Sequence, residues 1–104
     1  MSRQQDQTGD AVKERVTPKK QDPTQYKVVL INDDYTTMEF VVDVLETVFQ
    51  KSPAEAYRVM MAVHLQGQGV AGTYPWEVAE TKVEIVTTRA RDAWFPLRAV
   101  TEKA

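Results

Sequence analysis

The chain has 104 residues, a formal charge of −2, 42% hydrophobic residues and no cysteine. That length supports one domain with a modest core, and the missing cysteines exclude disulfides and thiolate chemistry. A slightly acidic chain also lacks the basic stripe that a phosphate backbone demands, so no nucleic-acid partner is expected.

No apolar run approaches the length of a membrane span, so no membrane association is expected. Met1-Ser2-Arg3-Gln4-Gln5-Asp6 lacks the apolar core of a signal peptide. Together with the absent cysteines, this suits a cytoplasmic protein. Residues 1–25 hold only Met1, Ala11, Val12 and Val16 as apolar side chains, amid Gln, Asp, Lys, Arg, Thr and Pro. Such a composition does not repay the entropy of ordering, so a disordered extension over 1–25 and a folded domain over 26–104 are expected.

Tyr26-Lys27-Val28-Val29-Leu30-Ile31 is β-branched and aromatic, and it reads as a buried strand. It runs into Asn32-Asp33-Asp34, three short acceptors at a strand-to-helix junction. Asn and Asp favour turns because their side chains bond nearby amides, but loops on rigid elements are also where binding groups concentrate. Thr36 and Glu39 have the spacing of a capping box. Met38, Val41, Val42, Leu45, Val48 and Phe49 then recur as the apolar stripe of a helix that closes at Lys51-Ser52.

The second helix has clearer punctuation. Ser52 as N-cap, Pro53 at the first helical position and Glu55 three residues after the cap open it. Gly67 and Gly69 are expected to stop it after Gln66. Tyr57, Met60, Val63 and His64 share a face. Val70 to Tyr74 reads as a short strand. Pro75 opens a third helix, with Glu77 and Glu80 in its first turns, and Ala79, Val83, Val86 and Ala90 keep helical spacing to about Asp92. Lys82 to Val86 also alternates like a strand, a competing pattern. Trp94 to Val100 alternates as a last strand, with Pro96 expected on an edge or at a bulge. The order β-α-α-β-α-β predicts an α+β fold in which a small three-stranded antiparallel sheet packs against three helices.

The chemistry offered is that of binding. With one histidine, no cysteine and no nucleophile elbow, the chain is not expected to be an enzyme. Asp33, Asp34 and His64 lack local ligand spacing, so neither a metal nor another cofactor is implied. Asn32 and Asp34 offer acceptors, and a neutral His64 adds a ring nitrogen. A protonated amine, with three N–H donors, wants such a set. Met38, Val41, Met60, Val63 and Leu97 can line an apolar hole beside it, the usual layout of a small-ligand site. An N-terminal Phe, Tyr, Trp or Leu with its free amine fits both parts.

The run Asn32-Asp33-Asp34-Tyr35-Thr36-Thr37-Met38-Glu39-Phe40-Val41 closely resembles the signature of the ClpS family, adaptors of the AAA+ Clp protease. The likeness continues through Met60-Met61-Ala62-Val63-His64, Gly67-Gln68-Gly69, Glu77-Val78-Ala79-Glu80-Thr81-Lys82 and Pro96-Leu97, so it covers residue 26 onward. The resemblance implies a monomeric adaptor that binds destabilising N-terminal residues and passes their proteins to the ClpA unfoldase, for degradation by ClpP. By position, Asn32, Asp34 and His64 would hold the α-amino group, and Asp33 and Thr36 the first peptide units. Ile31, Thr36, Met38, Val41, Met60, Val63 and Leu97 would form the side-chain pocket, with Met38 a gate against β-branched Ile and Val. Glu77, Glu80 and Lys82 would dock on the unfoldase's N-terminal domain, and the N-terminal extension would be engaged during hand-over. Many relatives carry Pro where this chain has Thr37, which is expected to loosen the turn at the pocket mouth. The rival readings are a non-catalytic scaffold without amine recognition and a metal-dependent hydrolase using Asp33, Asp34 and His64.

Overall fold

The computed structural model describes residues 24–104. The extension expected over 1–25 therefore lies outside the described residues except for Thr24 and Gln25, and Gln25 already belongs to the first strand. The elements are β1 (Gln25–Ile31), α1 (Met38–Thr47), α2 (Pro53–Gln66), β2 (Gln68–Pro75), α3 (Trp76–Asp92) and β3 (Arg98–Lys103). Their order and the antiparallel sheet β2-β1-β3 match the expected architecture.

β1 lies at the centre because it carries the densest apolar run: Val28, Val29 and Leu30 are almost wholly excluded from solvent. Side chains alternate across a strand, so Val28 and Leu30 share one face. They enter a core with Val44 and Leu45 of α1, Val63 of α2, Val86 and Ala90 of α3, and Ala99 of β3. The three helices supply one wall of that core and the sheet the other. Where β2 pairs with β1, the register slips between Val28 and Val29, so Val28 faces Gly72 while Val29 faces Val70. Ala71, the extra residue of this bulge, is fully buried.

Some local features differ from expectation, each for an identifiable reason. The N-cap of α1 is Thr37 rather than Thr36: the Thr37 hydroxyl accepts from the Phe40 N–H at 3.1 Å. Thr36 is unavailable, since its own hydroxyl is bonded to Asp33. Thr37 thus stands just before the helix and not at its first position. Ser52 caps α2 as expected, accepting from the Glu55 N–H at 3.2 Å, but Glu55 turns its carboxylate to Arg58 instead of completing the reciprocal box. Gly67 ends α2 in the left-handed region at φ 90°, whereas Gly69 is a strand residue. The competing strand pattern from Lys82 to Val86 loses to the helix, because only helical spacing buries Ala79, Val86 and Ala90 together. The last strand starts at Arg98, not Trp94. Trp94 ends the turn after α3 at φ 64°, the Phe95 N–H donates to the Ala90 carbonyl at 2.9 Å, and Phe95 packs on Phe40 with ring centroids 5.0 Å apart. Pro96 consequently sits in the connection before β3, where no ladder bond is asked of it.

Candidate functional site

The site is assembled where β1 ends. Past Ile31, the Asn32 N–H donates to the Gly67 carbonyl at 2.9 Å, which ties the loop to the C-terminal end of α2. This bond brings Asn32 alongside His64, in the last turn of that helix. Gly69 completes the approach from the β2 side. A Cβ there would stand 2.9 Å from Val63 Cγ2 and 3.2 Å from the Val59 carbonyl oxygen, so only glycine lets the strand lie this close to α2.

Asp33 shapes the loop itself. Its Oδ1 accepts from the Tyr35 N–H at 2.8 Å and the Thr36 N–H at 2.7 Å, while Oδ2 accepts the Thr36 hydroxyl at 2.7 Å. Partial burial pushes the Asp33 pKa up, but the Thr36 amide, the Thr36 hydroxyl and the Tyr35 amide together outweigh it. The carboxyl ends up below its ordinary value of 3.8 and stays ionised. The two residues expected to meet a peptide backbone are thus also each other's partners.

These restraints leave a cavity of about 270 Å³ lined by Asn32, Asp33, Asp34, Thr36, Met38, Val41, Met60, Val63 and His64. Its apolar side is contributed by Val41, Met60 and Val63, all buried, while Met38 stands at the rim with 42% of its surface exposed. Its polar side holds two carboxylates, and no lining residue is a lysine or arginine. The side chains of Asn32, Asp34 and His64 bond to no other described residue. The volume falls just under the range of about 300–1,000 Å³ usual for drug-sized ligands, a size that suits one amino-acid side chain. Acceptors and carboxylates beside an apolar wall have the chemistry to hold a cation attached to an apolar group.

Two residues expected in the pocket are not among those that line this cavity, although Leu97 shares the core with Val41, Met60 and Val63. Alternation along β1 puts Ile31 on the sheet face opposite Val28 and Leu30, and Leu97 is buried in the core with 4% of its surface exposed. Neither lines the cavity. Among the described residues, no three His, Asp or Glu side chains are grouped to hold a metal ion. Of the three expected docking residues, Glu77 and Glu80 are exposed on α3. Lys82 is engaged by its own domain: Nζ donates to the Val48 carbonyl at 2.6 Å and to Gln50 Oε1 at 3.2 Å, and it sits 5.9 and 5.6 Å from the Phe49 and Tyr74 ring centroids. No local pattern announces that role, because the partners lie more than thirty positions away in α1 and its exit.

Fold and site together define a small α+β domain with an acidic rim over an apolar cavity. Residues 21–100 match the family model described as "ATP-dependent Clp protease adaptor protein ClpS". ATP-dependent Clp protease adapter proteins ClpS from Maricaulis maris and Wolinella succinogenes are 53% and 52% identical to this chain. The alignments cover 92% of the chain and 86% of the first relative, and 79% and 80% for the second. A solved structure of Agrobacterium tumefaciens ClpS2 bound to L-phenylalaninamide superimposes with a TM-score of 0.76 at 44% identity, covering 79% of this chain and 99% of that one. The chain belongs to the ClpS family: it is an adaptor of the ATP-dependent Clp protease and not an enzyme.

Proposed function

We propose that this adaptor binds the free α-amino group and the large apolar side chain of an N-terminal Phe, Tyr, Trp or Leu. It then hands the bearer to the N-terminal domain of a ClpA-type unfoldase, for degradation by ClpP in the cytoplasm, and acts as a monomer. The observation that carries the first step is the rim itself: Asn32, Asp34 and His64 leave their acceptors unused around a cavity sized for one side chain. The Agrobacterium relative supports the reading, since L-phenylalaninamide joins a free amine to a benzyl group.

In this reading Asn32, Asp34 and a neutral His64 take the three N–H donors, and Asp34 supplies the opposite charge. Asp33 and Thr36 meet the first peptide units. Met38, Val41, Met60 and Val63 surround the side chain, and Met38, the exposed wall, excludes residues branched at Cβ. Glu77 and Glu80 face the unfoldase, joined by the outer side of Lys82, and the N-terminal extension is engaged during hand-over.

Calorimetric titration with peptides differing only at the start tests this. Free Phe is expected to bind, and acetylation, which removes the charge and two donors, to cost on the order of 1–3 kcal/mol or more. Equal affinity for both would leave the scaffold reading standing. His64→Ala is expected to weaken binding of the free peptide, since it removes one of the acceptors at the rim.

A further inference from the structure

A second groove, of about 400 Å³, is lined by Met38, Glu39, Val42, Asp43, Glu46 and Met60. It shares Met38 and Met60 with the first cavity, so a ridge of two methionine side chains is all that separates them. Along α1 the spacing places Met38, Val42 and Glu46 in one row and Glu39 and Asp43 in the next. The result is an aliphatic floor at Val42 with three carboxylates around it and no lining cation. Asp43 is held by Arg89, which also bonds the Thr47 hydroxyl, but Glu39 and Glu46 bond to no described residue.

Helix electrostatics accounts for one of these charges and not the other. Glu39 lies in the first turn of α1, where the macrodipole favours an anion. Glu46 lies in the last turn, which holds no basic residue, and there the dipole opposes a negative charge. Lys82 and Arg89 answer the Val48 carbonyl and Thr47 at that end but do not bond Glu46, whose free carboxylate beside the apolar floor suits a ligand cation. Lysine and arginine have the matching shape, an aliphatic stem under a charged head.

We infer that this groove is a second subsite, taking the side chain of a Lys or Arg two residues after the bound N-terminal residue. The register follows from an extended peptide: residues 1 and 3 project to the same side about 7 Å apart, which spans a ridge one side chain wide. The stem lies on Val42 and the Met38–Met60 ridge, and the head between Glu39 and Glu46. The inference rests on the amine-recognition reading above, because residue 1 anchors the peptide.

The test uses the full chain and fluorescent peptides Phe-Ala-X-Ala-Gly, with X as Arg, norleucine, Ala or Glu, and Phe-Arg-Ala-Ala-Gly as the register control. Arg at position 3 is expected to bind about two- to fivefold tighter than Ala, the scale of an exposed ion pair, with the advantage shrinking in high salt. Norleucine should keep part of the gain and Glu should bind weakest. Glu39→Gln/Glu46→Gln should abolish the Arg preference, leaving Phe-Ala-Ala and norleucine affinities as they were. Equal binding of Arg and Ala at position 3 overturns the subsite, and an Arg preference that survives the double variant reduces it to general charge attraction, which overturns it too. An equal gain from Arg at position 2 overturns the register. If none of the peptides binds, the failure is that of amine recognition, visible already in the Ala peptide.

Discussion

The two ends of α1 meet polar groups in opposite ways. At the C-terminal end, Lys82 satisfies the Val48 carbonyl, bonds Gln50 and lies over two aromatic rings. That corner is closed around Lys82, with the Val48 carbonyl and the Gln50 side chain matched from within the domain. At the N-terminal end, Asp33 and Thr36 are matched in the same way, but Asn32, Asp34 and His64 around them are left open above an apolar cavity. A closed corner is architecture, and its loss registers as stability. An open one is a site, and its loss registers as affinity.

Substitutions can break that contrast, beginning with the largest expected effect. Gly69→Ala forces a methyl against Val63 and the unyielding Val59 carbonyl, so it should cost about 1–3 kcal/mol in urea unfolding. It is expected to weaken peptide binding as well, because Val63 walls the cavity. At the closed end, Lys82→Met removes a charged donor from a helix C-terminus and should cost about 1.5–3 kcal/mol in the same assay. A stability equal to the parent would show that Lys82 is free to serve only as a docking residue.

Asp33→Asn sharpens the contrast through pH. A carboxyl whose folded pKa is depressed contributes stability above its unfolded value, near 3.8, and loses it as pH falls through the lower folded value. The parent should therefore shed stability below about pH 4 along a steeper acid limb than the variant, as followed by circular dichroism. The smallest effect is expected at Thr37. Thr37→Ala should cost about 1 kcal/mol, the worth of a cap. Thr37→Pro loses the same bond, but φ of −74° already suits the ring, so the stiffer unfolded chain offsets most of the loss. A proline variant as unstable as the alanine one would show that rigidity at the pocket mouth contributes nothing.

Much of this was legible because local rules and tertiary needs agree. Ser52-Pro53 and Gly67 bound α2 as expected, and the Val28-to-Leu30 run reads directly as a buried strand. The cavity walls followed from helical spacing, except where a face had to be known: Ile31 lies just before the chain leaves the sheet, and parity alone sends it to the far side. Misreadings arose where two residues of one type compete or where the deciding partner is remote. Thr36 and Thr37 are equivalent as N-caps until Asp33 claims the first. Val44 is fully buried although the anticipated stripe passes over it: it joins the same core as Leu45, so the buried arc of α1 is wider than the stripe implied. Trp94, 91% exposed and in a left-handed backbone conformation that glycine would adopt more readily, belongs to the turn after α3, yet the alternation from Trp94 to Val100 reads as strand.

The bond from the Asn32 N–H to the Gly67 carbonyl bears on when the adaptor works at all. It joins the exit of a central strand to the end of a helix more than thirty residues later, so the amine clamp has no existence in any short fragment of the chain. Opening that contact separates His64 from Asn32 while every helix can remain wound. On the proposed reading, an adaptor that begins to unfold stops selecting clients before it becomes a tangle itself, and a bound client, by holding both sides of the clamp, props its own carrier shut.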